Sequence, residues 1–459
     1  MHKYNYFLIS FIGLLISPSF AFSQSAPNCL DLRNKTIDQQ IDSVMYIANN
    51  NDNMKSSFES QYSKLYDLRS EQLYFIPSLE LTNSWSFNES EYSYSQHSYL
   101  PYTESWTENS NNQLNASLNW NFFNISQLYS ISASDNIYNL QKQITLSDLQ
   151  QNAIDTSTAY IQYLLDSELS KNTLKLIDVY TKQHQDIQEK YQRGLASKID
   201  LLNSSQQLDS YTAQYNTNLS KITKDINNLS TLIDLDLCSF NSVDSFPDNL
   251  NKYKLYPNSF QAALLLSPYL NQLQYQKNNY NALSKSKYYS YLPILSLSAT
   301  SALTTTYQKS PSILTSTDND YSILGTITWN FFDGGINIMS AKSYEKQASK
   351  SDLLIKYSSE KLKNSVSSLE DQLESTYKNI DVYSLGLSKQ QSLLSLTLIG
   401  YQAGFLTSTD LQTATSTYIN SLNDKSTAIY DYLSNKIQYQ SLFLFPDYPQ
   451  THSQLIEHY

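Results

Sequence analysis

Few residues in this chain have the types and spacing that chemistry needs. The five histidines, His2, His97, His184, His452 and His458, stand at no spacing from a carboxylate or cysteine that would hold a metal. There is no glycine loop suited to a phosphate, no nucleophile elbow and no carboxylate pair in one plausible cleft. An enzyme is therefore not expected, nor is a metal or other cofactor. Cys29 and Cys238 are the two cysteines, and in an oxidising compartment they can form one disulfide. What does recur is a pair of aspartates, Asp200 and Asp410, each six residues beyond a glycine. Two readings are open for them: carboxylates at helix N-termini, favoured there by the macrodipole, or acids that line a pore.

The aspartates close two copies of one decapeptide, Tyr191–Asp200 and Tyr401–Asp410, set 210 positions apart. Tyr, Gly and Asp keep the same places in both. The whole chain has 8 glycines, and Gly194 and Gly404 each interrupt long runs of helix-forming residues. That placement predicts a tight turn with positive φ at the tip of a helical hairpin.

The elements around the tips also come twice. Residues 1–25 read as a secretory signal peptide, with Lys3 before an apolar core from Phe7 to Ile16. Residues 26–240 form a first unit: a helix from Leu30 to about Tyr74 that stops at Ile76-Pro77, strands at about 78–88 and 113–123, and a hairpin with its tip at 191–200. A polar, tyrosine-rich loop is expected between the strands. A linker follows at 241–258, and residues 259–445 repeat the order: a helix from about Phe260 to Leu292-Pro293, strands at about 294–304 and 321–332, and a tip at 401–410. Residues 446–459 are a tail. From Phe123 to Gly194 neither proline nor glycine intervenes, so a helix of about 100 Å is predicted. The return helix shows how such length is supported: Leu208, Tyr215, Ile222 and Leu229 form one seven-residue series, and Leu219, Ile226 and Ile233 another.

Each predicted strand has one apolar face and is about 10 to 11 residues long, the length that crosses an outer-membrane hydrocarbon layer at a tilt. Trp85, Trp120, Phe122, Trp329 and Phe331 stand where an aromatic girdle would lie. Four strands cannot close a barrel, and lipid does not tolerate an open edge, so several chains must share one. The net charge of −11 disfavours nucleic acid as a partner, and 39 tyrosines with 16% charged residues suit an envelope protein.

Over nearly its whole mature length the sequence resembles the TolC family of outer-membrane efflux and secretion ducts. The resemblance rests on Trp329-x-x-Phe332-Asp333-Gly334-Gly335, the duplicated Gly-x5-Asp tips and the proline-led strands. It implies an α+β membrane protein: a homotrimer whose barrel of twelve strands, four per chain, continues into a tunnel of coiled-coil hairpins through the periplasm. It also implies a passive outer-membrane channel of a tripartite efflux or type I secretion system, opened by a periplasmic adaptor and an inner-membrane pump. A stand-alone porin and a structural coiled-coil stalk are the alternatives. The exposed apolar tips, Gly194, Leu195, Gly404, Phe405 and Leu406, are the expected docking surface. Asp200, Asp410 and Tyr401 match the family's closed entrance. Leu406 stands where an arginine is expected, Thr413 where a second aspartate is, and Asn124-Ile125-Ser126 replaces Asp333-Gly334-Gly335 in the first unit.

Overall fold

A computed structural model describes residues 36–94, 103–234, 246–247, 250, 252–310 and 312–443. The expected signal peptide, Cys29, Cys238, most of the expected linker and the tail lie outside the described residues. The first unit comprises α1 (Ile37–Ala48), α2 (Asp52–Gln72), β1 (Ser78–Tyr94), β2 (Thr103–Phe123), α3 (Ile125–Gln192) and α4 (Lys198–Ile233). The second comprises α5 (Ser259–Leu266), α6 (Pro268–Tyr289), β3 (Ile294–Ser310), β4 (Ser312–Thr328), α7 (Ile336–Gln402) and α8 (Ser408–Ser441). With 68 and 67 residues, α3 and α7 are each about 100 Å long.

The helices leading into the strands are each broken where one continuous helix was expected. Asn51 caps α2, its side chain accepting from the Met54 N–H at 2.8 Å, and so ends α1 after Ala48. Pro268 cannot continue α5 because it lacks an N–H, and it starts α6 instead, with Ser267 as the cap.

The four strands form one antiparallel sheet in the order β1-β2-β3-β4. Its register gathers the apolar residues on one face. Leu79, Leu118, Ala299 and Ile323 share a row, and Leu81, Ala116, Ser301 and Tyr321 share another. From Leu295 to Leu303 this band extends about 27 Å along the strand, enough for an outer-membrane core. Opposite it, β2 alone presents Asn109, Asn111, Gln113, Asn115, Asn119 and Asn121.

The strands are longer than expected, reaching Tyr94 and starting again at Thr103 in the region assigned to a loop, and β3 and β4 also run through residues assigned to a loop. A ladder between neighbouring strands needs no apolar face, so the polar hairpins extend past the apolar band. β4 in turn stops at Thr328, which leaves Trp329 and Phe331 just beyond it. Phe122 is the extra residue of a bulge, because Asn121 pairs with Ser296 and Phe123 with the adjacent Leu295.

Below the sheet the helices keep the same lateral order. α2, α3, α6 and α7 lie side by side next to the strands, and α4, α3, α8 and α7 do so toward the tips. The main core sits at the waist, where Val44 and Met45 of α1, Tyr160, Ile161 and Leu164 of α3, Leu229 and Ile233 of α4 and Leu433 and Ile437 of α8 are buried together. The described end of the linker is pinned to α8, the N–H groups of Tyr253 and Tyr256 donating to the hydroxyls of Tyr432 and Tyr439 at 2.8 and 3.3 Å. The heptad residues of α4 join this core or the smaller one around Leu176, Tyr180 and Ile419, except Tyr215, which is half-buried outside both, and Leu219, which stays exposed.

Candidate functional site at the hairpin tips

Both tips close by the same backbone device. The Gly194 and Gly404 N–H groups donate to the Tyr191 and Tyr401 carbonyls, and the next residues, Leu195 and Phe405, reach back to Lys190 and Gly400 at 2.7 and 2.9 Å. With φ of +75° and +80° the two glycines occupy the left-handed position that such a helix end requires. The side chains that follow project into solvent: Leu195 is 74% exposed and Phe405 87%. Leu406 differs. It folds onto Gly400, where a Cβ would lie 2.7 Å from Leu406 Cδ1, so the last turn of α7 depends on that glycine to accommodate it.

Asp200 and Asp410 open the return helices as the third residues of capping boxes. Asp200 Oδ2 accepts from the Ser197 N–H and hydroxyl at 3.0 and 2.7 Å while the Asp200 N–H donates to Ser197 Oγ at 3.1 Å. Asp410 makes the same three bonds with Thr407, at 2.8, 2.6 and 3.2 Å. The hydroxyl bond, then the backbone bond, holds each carboxyl below its ordinary pKa. Both aspartates are exposed and ionised, and each has one oxygen committed to a cap.

Tyr401 takes part in a different set of contacts. Its hydroxyl donates to Asp186 Oδ2 on α3 at 2.5 Å, and Lys190 Nζ lies 2.7 Å from the same oxygen, 3.2 Å from the hydroxyl and 5.2 Å from the ring centroid. Burial pushes the Asp186 carboxyl up, but the bonds from Lys190 and Tyr401 outweigh it and leave the pKa lowered. Lys190 is held above its usual range, first by its bond to Asp186. The acid paired with Tyr401 is thus Asp186, a residue not singled out in the sequence, and it ties α3 to α7 across 215 positions. One sequence signal was available: the first copy has Lys190 before its tyrosine where the second has Gly400.

The residues expected in the girdle gather at the opposite ends of the helices. Trp120 Nε1 donates to the Phe75 carbonyl and Trp329 Nε1 to the Tyr291 carbonyl, both at 2.9 Å and both two residues before the proline that starts a strand. Each indole also packs on a phenylalanine, Phe122 or Phe331, at 5.5 and 5.9 Å between centroids. Asn124 caps α3 and accepts from the Gln127 N–H at 3.1 Å. Gly335 is the N-cap of α7, and Asp333 two residues before it accepts from the Gly335 and Asn337 N–H groups and the Tyr291 hydroxyl. The asparagine therefore does the capping work of the aspartate without the glycines. Trp85 lies on the apolar face of β1 with Leu79, Leu81 and Phe87, all exposed in the single chain.

Among the described residues no three His, Cys, Asp or Glu side chains group as metal ligands, and no helix is long and apolar enough to cross a membrane. No family model and no curated protein matches the sequence. Solved structures do match along most of the chain. It is similar to the outer-membrane channel OprN at a TM-score of 0.72, with 12% identity over 89% of this chain and 90% of that one. The CmeC outer membrane channel of Campylobacter jejuni matches at 0.71, with 13% identity over 91% and 88% of the two chains. CusC matches at 0.70, with 16% identity over 91% and 96%. The fold is that of the TolC-like outer-membrane channels, with long helical hairpins and a four-stranded contribution to a sheet. At these identities what is shared is the fold.

Proposed function

We propose that this chain is one protomer of a trimeric outer-membrane channel, a passive conduit for efflux or secretion that an adaptor and an inner-membrane pump open from the periplasmic side. The observation that carries the proposal is a pair of matching open edges. Within the chain the first unit packs on the second through β2 on β3, α3 on α6 and α3 on α8. The duplication makes β4 on β1, α7 on α2 and α7 on α4 the equivalent contacts, and no comparable packing joins those pairs within one chain. One edge thus runs through β1, α2 and α4, and the other through β4 and α7. An unpaired β1 or β4 in lipid costs several kcal/mol for each unsatisfied backbone group, so the edges must meet between copies. Three chains would supply twelve strands, a number that closes a barrel.

Native mass measurement in mild detergent tests the assembly, with three mature chains expected and a stable monomer counting against it. Single-channel recording then separates a conduit from a stalk. Transport that needs no adaptor would favour a stand-alone porin.

The tips Gly194-Leu195 and Gly404-Phe405-Leu406 are the adaptor-docking surface in this reading, since large apolar side chains there have no core to join. Asp200 and Asp410 give a threefold assembly two rings of ionised carboxylates at the mouth. Replacing both with Ala is expected to reduce cation preference, read as a shift in reversal potential, and an unchanged reversal potential would reduce them to helix caps.

A further inference from the structure

Resting on the cyclic assembly above, we propose that α7 of one copy meets the first hairpin of the next near the periplasmic mouth through a seam of aliphatic side chains, at positions where polar side chains join the two units within one chain beside the apolar cluster of Leu176, Tyr180 and Ile419. The argument uses the internal duplication as a ruler. Around the tips the two units align without a gap at an offset of 210, as Tyr191 with Tyr401 and Asp200 with Asp410 show. Every contact from the first unit to the second therefore has a counterpart from the second unit to the first unit of the next copy.

Three polar contacts carry over to aliphatic residues on α7, while Tyr180, whose hydroxyl donates to the Gln412 carbonyl, corresponds to Gln390, and Leu176 corresponds to Gly386. Gln183 Nε2 on α3 donates to the Ser408 carbonyl and hydroxyl at 3.0 Å, and the equivalent positions are Leu393 on α7 and Lys198 on the neighbouring α4. Asn172 Nδ2 donates to Asn423 Oδ1 at 3.0 Å, and the equivalents are Val382 and Ala213. Asp186 accepts from Tyr401 at 2.5 Å, and the equivalents are Leu396 and Tyr191. At each of these three positions the polar group on the unit-one side is replaced on α7 by an aliphatic one.

The exposure of these residues in the single chain agrees. Val382, Leu393 and Leu396 are 64, 50 and 67% exposed along α7, while Tyr191, Lys198 and Ala213 are exposed on the first hairpin. α7 and α4 are also the two outer helices of the layer, each with a helix neighbour on one side only at that level. A lysine suits the seam because its methylene stem can cover Leu393 while its ammonium stays in water. The occupant is thus a second copy of this chain. The mouth would alternate joints that include polar and charge-assisted side-chain bonds within each chain with joints closed by aliphatic side chains between chains.

Cysteine pairs test this in a chain whose Cys29 and Cys238 are both serine. Leu396→Cys with Tyr191→Cys is expected to shift the oxidised protein on a denaturing gel from one chain to two- and three-chain species. Asp186→Cys with Tyr401→Cys should stay at the mass of one chain. Val382→Cys with Ala213→Cys is a second seam pair in case the first variant folds poorly. If native mass shows a trimer but neither seam pair links chains, the seam is wrong and the assembly survives. If native mass shows a monomer, the assembly reading falls and takes the seam with it.

Discussion

The two units are built alike at the membrane end and differently at the tips. Next to the strands, Trp120 and Trp329 donate to equivalent carbonyls at the same distance, pack at an angle against equivalent phenylalanines and stand beside Asn124 and Asp333, which each bond a tyrosine. At the tips the backbone turns and capping boxes are again duplicated, but the side chains around them are not. Lys190 corresponds to Gly400 and Asp186 to Leu396, and the exposed stripe of Leu195, Ile199 and Leu202 on the first hairpin corresponds to Phe405, Thr409 and Gln412 on the second. Both tryptophans sit at corresponding strand-to-helix junctions, so both elbows answer to one geometric requirement. The tips share no such constraint beyond the backbone turn, and there the side chains have diverged.

The sharpest test of this contrast lies at the exposed tips. Leu195→Asp combined with Phe405→Asp is expected to abolish transport while mass and membrane insertion stay unchanged, because neither side chain contributes to a core. Transport at the unaltered level would place docking elsewhere. Single substitutions sharpen the point: if the first tip dominates through its longer stripe, Leu195→Asp alone should cost more than Phe405→Asp alone.

The lock of Asp186, Lys190 and Tyr401 comes next in size. Its ion pair lies within α3, four residues apart, so the link between the helices is the half-buried bond from the Tyr401 hydroxyl to Asp186, worth about 1 kcal/mol, or about a fivefold shift toward an open mouth in Tyr401→Phe. Single-channel open probability reads it. Because the Asp186 pKa is lowered, its contribution is complete above the ordinary carboxylate range and lost as pH falls through the lowered value. Lys190 is raised, so its contribution lasts until strongly alkaline pH. Between about pH 5 and 8 the lock should be insensitive to pH. A steep rise in open probability inside that window would assign gating to another group.

A third difference sits higher in the hairpins. In the first, Asp166 on α3 lies buried against Asp225 on α4, whose carboxyl is pushed up to about 6 by burial first and then by Asp166. The second has Thr376 and Asn435 at the equivalent positions. A raised acid contributes stability that is full below its unfolded pKa and is lost as pH rises through about 6. Asp225→Asn should therefore stabilise the protein at pH 8 by about 1 kcal/mol, after discounting for exposure, and by nothing measurable at pH 4. Equal thermal midpoints for the two proteins at pH 8 would show that the carboxylates are accommodated at no cost.

The smallest expected effect tests the likeness of the elbows. Trp120→Phe and Trp329→Phe each remove one indole hydrogen bond, worth about 1 kcal/mol. The two variants should lower the denaturation midpoint by the same amount within error. A clear inequality would show that the Gly334-Gly335 elbow and the Asn124 elbow bear different loads despite their common geometry.

What could be read from the sequence was local or repeated. Period-two alternation marked the apolar face of the strands, Pro77 and Pro293 marked where helices give way to strands, and the spacing of Gly194 to Asp200 marked the tips, because these signals depend on backbone preferences of neighbouring residues. The breaks at Asn51 and Pro268 are local too, a capping residue and a proline set within otherwise helical composition. The extension of the strands through Tyr94 and from Thr103 had no apolar pattern to announce it, since the ladder there is held by the partner strand. Nor could sequence spacing show that Asp186 meets Tyr401, or that the chain has two unpaired edges running from the sheet to the tips. Those depend on the lateral order of the elements, which the packing of whole helices decides and no run of neighbouring residues encodes.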